Sequence, residues 1–99
     1  MAKVREITYY APAAEGYDKV VMDALKVHMK SMWSGEVVFG TVFSGEYVGH
    51  GYTTIDFDSW KDYANLQDNW ASNNEWVAFL TANASKITVA VNREVIVLD

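Results

Sequence analysis

Cysteine is absent from this chain of 99 residues, and proline occurs only once. Without cysteine, the chain can form no disulfide, no thiolate nucleophile and no zinc-ribbon or iron–sulfur site. Basic residues are also few, because eight Lys and Arg stand against thirteen Asp and Glu, for a net charge of −5. Phosphate binding needs clustered Lys and Arg, and the eight here are scattered. We therefore expect no nucleic acid among the partners.

Long apolar runs are missing as well. No stretch could span a bilayer as a helix, and the start MAKVREITYY lacks the apolar core of a signal peptide. These features predict a cytoplasmic protein with no membrane partner, and the length predicts one domain over residues 1–99. Apolar residues are nevertheless abundant, at 51% hydrophobic and 14% aromatic. That is more than one small core hides, which indicates an apolar interface or a ring-lined pocket.

Residues 36–57, EVVFGTVF-SGEY-VGHGYTTIDF, predict two strands joined by a tight turn near Ser44–Glu46. Both arms are apolar on both faces, so each side of the hairpin needs a cover. A two-residue turn would cluster glycines on one face and leave a gap there, whereas a three-residue turn would pair the faces differently. With a two-residue turn, one face of the hairpin is predicted to hold Val38, Gly40, Val42, Tyr47, Gly49, Gly51, Thr53, Ile55 and Phe57. The other face is predicted to hold Val37, Phe39, Thr41, Phe43, Val48, His50, Tyr52, Thr54 and Asp56.

The remaining chain alternates between helix and strand periods. Strands are predicted at Val4–Ala11 and at Lys86–Leu98, the latter with a bulge or bend at Asn92-Arg93. After a connection at Ala13–Gly16, the period of 17–33 predicts a helix, which Gly35 stops. Its inward face is predicted to be Tyr17, Val20, Val21, Ala24, Leu25, His28 and Met32.

A second helical region follows the hairpin. Asp58 or Ser59 is predicted to cap a helix over 60–70, and a capping box at 72–75 predicts a break and a fresh helix to about Asn83. The inward residues are predicted to be Trp60, Tyr63, Ala64, Gln67 and Ala71, then Trp76, Phe79, Leu80 and Asn83.

The order strand, helix, strand, strand, helix, strand predicts an α+β domain. In it, helices cover one face of a four-stranded antiparallel sheet. The other face needs a cover too, and a second copy is the simplest supplier.

This ferredoxin-like βαββαβ order, the length, the two-sided apolar strands and the Trp-rich broken helical region resemble the dimeric α/β-barrel superfamily. The resemblance implies a sheet-to-sheet homodimer with a pocket between helices and sheet that holds a hydrophobic ligand. The superfamily includes antibiotic-biosynthesis monooxygenases, haem-degrading enzymes, lactone isomerases and uncharacterised members. Haem degraders pair an Asn on the first strand with a His on a helix. Here the first strand, 4–11, has no Asn and the second helical region, 60–83, has no His, which argues against haem degradation. An ordinary ferredoxin is excluded by the missing cysteines.

His28 is the residue that best suits chemistry, as a general base or a hydrogen-bonding group in the pocket. A core histidine bonded to a carbonyl or a tyrosine is the plainer alternative. His50 is predicted to lie on the other sheet face, at an interface or a ligand site. Neither histidine has the spacing of a metal site, so we expect no metal and no cofactor.

The pocket walls are predicted from ring-bearing and aliphatic side chains, although each could be ordinary core. One of Tyr9 and Tyr10 is expected to face the pocket, and Gln67 to hold a polar end of the ligand or to bond backbone. The aromatic and aliphatic lining is predicted to be Trp60, Tyr63, Trp76, Phe79 and Leu80.

Binding of an apolar small molecule, such as a fatty-acyl chain or a polycyclic aromatic, is the favoured function. A cofactor-independent monooxygenase or isomerase with His28 as base is the alternative, and a purely structural dimerisation module is a third. Binding is favoured because no second catalytic group was found to partner His28.

Overall fold

The computed structural model describes residues 3–12, 17–33, 35–88 and 90–98. The strands form one sheet in the order β2-β3-β1-β4, and every neighbouring pair is antiparallel. The α+β, ferredoxin-like architecture is thus confirmed, while the predicted connection at 13–16 lies outside the described residues. No helix in the described part of the chain is both long and apolar enough to cross a membrane. The elements are β1 (Lys3–Tyr10), α1 (Lys19–Met32), β2 (Val37–Thr41), β3 (Gly51–Phe57), α2 (Trp60–Ser72), α3 (Asn74–Ala82), a 3-10 turn (Ala84–Lys86) and β4 (Ala90–Leu98).

The two faces of the sheet differ in cover. Along β1, Val4, Glu6 and Thr8 are buried, while the residues between them are only half-buried. Directly opposed residues of antiparallel strands share a face, and these three lie opposite the buried residues Phe57, Ile55 and Thr53 of β3. The helices therefore cover this face, called the covered face here. The opposite side, called the open face, carries Arg5, Ile7, Tyr9, Val38, Gly40, Tyr52, Thr54, Asp56, Asn92, Glu94, Ile96 and Leu98 by the same register.

The connection between β2 and β3 is not the predicted two-residue turn. It spans residues 42–50 and contains Gly45 and Gly49, which both adopt positive φ. Val42 donates to the carbonyl of His50 and accepts from Gly49, so two residues oppose one, as in a β-bulge.

This bulged loop shifts the pairing by one residue and so reverses the predicted faces of β2. Val37 and Phe39 lie opposite Ile55 and Thr53, on the covered face. Gly40 lies opposite Tyr52 on the open face, so the predicted cluster of three glycines on one face is wrong. The division that a three-residue turn would give is the observed one.

Helix α1 is capped by Asp18, which accepts hydrogen bonds from the amides of Val20 and Val21 at 2.9 and 3.3 Å. Its inward face is rotated from the prediction. Met22, Leu25 and Met29 are buried, whereas Val20 is 78% exposed. The side chains of Met and Leu, which are not branched at Cβ, reach the core, and Val20 and Val27 face away.

Helix α2 is also rotated. Ser59 caps it, as predicted, by accepting from the amide of Asp62. Its buried anchor is Leu66, which is 1% exposed, while Trp60, predicted to face inward, is 53% exposed. Leu66 is three residues after Tyr63 and four before Trp70, and both rings pack against the core.

The predicted break before the third helix is confirmed, with a different cap. Asn73 separates α2 from α3, and its side chain accepts from the amide of Trp76 at 2.9 Å. Ser72, the predicted first residue of the capping box, instead donates back to the carbonyl of Asp68. Trp76, Phe79 and Leu80 all pack against the core, as predicted.

Strand β4 begins later than predicted. Residues 84–86 form a 3-10 turn, and pairing starts at Ala90. The pairing of β4 with β1 is irregular between Ala90 and Asn92. The irregularity that was predicted at Asn92-Arg93 therefore lies at Val91. β4 is an edge strand, and Val95, Ile96 and Val97 are 37%, 39% and 48% exposed.

Candidate functional site

A cavity of about 610 Å³ lies between the covered face and the helices. A second cavity of about 340 Å³ adjoins it toward the β2–β3 end of the sheet. The two share Tyr10, Leu25, Met29 and Thr88 in their walls. The larger one, called the main cavity here, is the candidate site, with walls formed by Glu6, Thr8, Tyr10, Leu25, Met29, Gln67, Trp70, Ala71, Trp76, Val77, Leu80, Thr81, Ile87, Thr88, Ala90 and Arg93.

Glu6 is the most unusual residue of the main cavity. It stands at the middle of β1, opposite Ile55 on β3 and Val95 on β4, and it is only 2% exposed. Burying a carboxylate in an apolar layer is costly unless it is paired and hydrogen-bonded. Its presence there is hard to explain by packing alone.

The partners of Glu6 are few and loosely placed. The side-chain amide of Gln67 donates to one carboxylate oxygen at 3.2 Å. The guanidinium of Arg93 lies 3.7 Å from the other oxygen, beyond hydrogen-bond distance, and donates instead to the hydroxyl of Thr8 at 3.2 Å. Arg93 is 52% exposed, so the only cation near Glu6 in the described chain is half in solvent.

Two tyrosines complete the polar part of the covered face. The hydroxyl of Tyr10 lies 3.2 Å from the hydroxyl of Thr53, and burial is the main cause that raises the pKa of Tyr10. Burial also raises the pKa of Tyr63, as do the charge of Glu6 and a hydrogen bond to it. Both phenols therefore stay protonated and remain hydrogen-bond donors near neutral pH.

Two indoles wall the main cavity across the helix break. The rings of Trp70 on α2 and Trp76 on α3 stack with centroids 6.0 Å apart and planes 24° apart. Trp70 Nε1 is buried and has no hydrogen-bond partner among the described residues. An unpaired buried N–H is rare in folded proteins and calls for an explanation.

His28 does not line either cavity. Its ring lies against Phe79, with centroids 4.7 Å apart, and the residue is half-buried between α1 and α3. The rotation of α1 explains this position, because Leu25 and Met29 occupy the inward direction that the prediction gave to His28. Its role as a base stays a prediction.

Tyr9 and His50 lie apart from the cavities, on the open-face side. Tyr9 stacks on Tyr47 with centroids 4.5 Å apart, and Tyr47 meets His50 edge-on at 5.5 Å. His50 Nδ1 is 3.1 Å from the carbonyl of Tyr47. Burial, ahead of the charge of Glu94, raises the pKa of Tyr9.

The predicted site residues thus fall into separate groups. The main cavity brings together Tyr10, Gln67, Trp76 and Leu80. Tyr63 packs edge-on against Phe57 and Trp60 packs edge-on against Tyr63, and neither Tyr63 nor Trp60 is in the wall of the main cavity. Sequence reasoning missed three polar members of the site: Glu6, Trp70 as a donor, and Arg93.

A signal for Glu6 was present in the sequence. In the alternation of β1, it shares a face with Val4 and Thr8. A carboxylate in the middle of the inward face of a strand is a candidate site residue, since charges are almost never fully buried without a partner.

The fold is shared with solved structures of low sequence identity. A NIPSNAP-like domain protein of Burkholderia xenovorans is 12% identical and matches 97% of this chain and 83% of its own, with a TM-score of 0.66. A NIPSNAP family protein of unknown function from Agrobacterium tumefaciens is 16% identical over 98% and 86%, with a TM-score of 0.67. A dimeric ferredoxin-like protein from an uncultured marine organism is 17% identical over 100% and 99%, with a TM-score of 0.61.

No family model matches the chain, and no curated protein is found to be similar to it. At these identities, the structural neighbours show the ferredoxin-like fold alone.

Proposed function

We propose that this protein binds an apolar small molecule in the main cavity. The observation that carries the proposal is the cavity itself, whose volume falls in the range of small-molecule sites. Its composition also fits such sites, because apolar walls surround a few converging polar groups. The apolar walls are supplied by Leu25, Met29, Trp70, Trp76, Leu80 and Ile87.

We further propose that the chain forms a homodimer through the open face. Apolar side chains of the open face are exposed, with Val38 at 37% and Ile96 at 39%, and exposed apolar surface is typical of an interface. Two structural neighbours are described as dimeric ferredoxin-like proteins, and this supports the same assembly here.

The enzyme alternative receives less support. A monooxygenase or isomerase that uses His28 as base requires that residue to reach the substrate, and His28 lines neither cavity. No observation favours it over binding.

Ligand binding is tested by obstructing the main cavity. Ala71 lines it from α2, while Ala78 on α3 does not, and both are exposed alanines in helices. We expect the neutral fluorescent probe N-phenyl-1-naphthylamine to bind wild type saturably at one site per chain. Ala71→Trp should weaken that binding about tenfold or more by filling the space, and Ala78→Trp should leave it unchanged.

The proposal fails if the probe does not bind saturably, or if both tryptophan variants bind it as wild type does. Native mass spectrometry gives an independent readout. Protein purified from cells should carry a retained hydrophobic adduct, and Ala71→Trp should lose it.

A further inference from the structure

The charge balance of the main cavity restricts its ligand. Among the described residues, Glu6 and Arg93 are the charged side chains in its wall. Glu6 is buried, whereas Arg93 is 52% exposed and lies 3.7 Å away, so Glu6 dominates the charge inside the cavity. A ligand carboxylate would add a second negative charge beside it. Uncompensated charge in a buried site is strongly unfavourable.

The hydrogen-bonding capacity of the cavity is not filled. Two carboxylate oxygens offer about four acceptor positions, and in the described contacts Glu6 receives the amide of Gln67 at 3.2 Å and a hydrogen bond from Tyr63, with Arg93 no closer than 3.7 Å. On the helix side, Trp70 lines the cavity, and its buried Nε1 has no partner in the part of the chain that the structure describes. Trp33 Nε1 is in the same condition, but Trp33 lines neither cavity.

Resting on the proposed function, we propose that the ligand carries no anionic group and offers a hydroxyl group, as in an alcohol or a phenol. A hydroxyl donates one hydrogen bond to Glu6, which a pure hydrocarbon cannot do. Its oxygen, or a second oxygen of the ligand, accepts from Trp70 Nε1. The remainder of the molecule is apolar and occupies the space between Leu25, Met29 and Leu80.

The proposal is tested with three probes that share one ring system: naphthalene, 2-naphthol and 2-naphthoate. Each displaces N-phenyl-1-naphthylamine from wild-type protein near pH 7. A hydrogen bond to a charged group is worth about a factor of ten or more in affinity. We therefore expect 2-naphthol to bind about tenfold more tightly than naphthalene, and 2-naphthoate to bind more weakly than 2-naphthol.

Two variants test whether the named groups cause this ranking. Glu6→Gln keeps the shape and removes the charge, so the advantage of 2-naphthol over naphthalene should fall to about threefold or less. Binding of 2-naphthoate should tighten, because Arg93 is then unbalanced. Trp70→Phe removes the N–H and should narrow the advantage of 2-naphthol over naphthalene, measured as the ratio of the two affinities in the same variant. Glu75→Gln, at an exposed carboxylate outside the cavity wall, is the matched control and should keep the wild-type ranking.

The outcomes separate the two proposals. If wild type binds naphthalene as tightly as 2-naphthol, or prefers 2-naphthoate, the hydroxyl proposal is wrong and the apolar binding function stands. If the fluorescent probe itself does not bind, both are wrong. Should Glu6→Gln fail to fold, the wild-type ranking together with Trp70→Phe decides the matter.

Discussion

Arg5 and Glu6 are neighbours in β1, yet the two faces of the sheet treat their charges in opposite ways. On the open face, Arg5 donates two hydrogen bonds to Asp56 on β3, at 2.7 and 2.9 Å. On the covered face, Glu6 is almost fully buried and its nearest cation in the described chain stays at 3.7 Å.

The difference indicates that the two faces of the sheet have different roles. A bidentate pair at partial exposure is a complete arrangement that needs no further partner. A buried carboxylate with an incomplete set of partners costs stability, and such a cost is typical of residues kept for binding or chemistry. The covered face therefore holds the candidate site, and the open face carries the proposed dimer interface.

The largest effect is expected from truncating the core of the covered face. Phe57 is 1% exposed and contacts Trp33 and Tyr63. Phe57→Ala should lower the free energy of unfolding by about 3–5 kcal/mol, measured by urea denaturation. Ile96→Ala on the open face, where the side chain is 39% exposed, should cost about 1 kcal/mol at concentrations below those of association. Equal losses at the two positions would contradict the distinction between the faces.

An intermediate effect is expected on assembly. Ile96→Glu replaces an exposed apolar side chain of the open face with a charge, and it should weaken self-association by about 100-fold or more. Sedimentation velocity should show a dimer for wild type and a monomer for the variant. Val20→Glu, at an apolar residue of α1 that is 78% exposed, is the control and should remain dimeric. A wild-type chain that sediments as a monomer at all concentrations would rule out the proposed dimer.

The smallest effect is expected from the Arg5–Asp56 pair. The hydrogen bond from Arg5 lowers the pKa of Asp56, and the charge of Arg5 adds to this. A lowered pKa stabilises the fold above the unfolded value of about 3.9, and that contribution is lost as the pH falls through the lower folded value. Asp56→Asn should therefore cost about 0.5–1 kcal/mol at pH 7.

The check on this prediction is the pH dependence of the difference. Chemical denaturation of wild type and Asp56→Asn should give stabilities that converge as the pH drops below about 4. A difference that is constant from pH 7 to pH 3 would mean that the lost group acted through packing rather than charge.

Most of the fold could be predicted from sequence because it depends on periodicity. The alternation of β1 and β3, the cap at Ser59 and the helix break near Asn73 are local signals, and the structure contains each of them. The face of β2 could not be predicted in the same way. Which side chains of β2 face the helices depends on the pairing register of β2 with β3. The bulge at Gly49 shifts that register by one residue, and this reverses the faces.

The site was less predictable because it depends on helix rotation. A shift of one position put Met29 in the place predicted for His28, and α2 turned so that Leu66 rather than Trp60 is buried. Both choices satisfy a helical period, and only the fit of long side chains against the sheet distinguishes them. Glu6 was overlooked for another reason, since composition and pattern treat a carboxylate as a surface residue.

The stacked indoles of Trp70 and Trp76 give the main cavity its own optical signal. Of the four tryptophans in the chain, Trp60 is exposed and Trp33 lies against Phe57, so the near-parallel pair is spectroscopically separate from both. Coupled chromophores produce a circular-dichroism couplet that changes with their separation and tilt. A guest that enters between α2, α3 and the sheet would be reported by the protein without any added label.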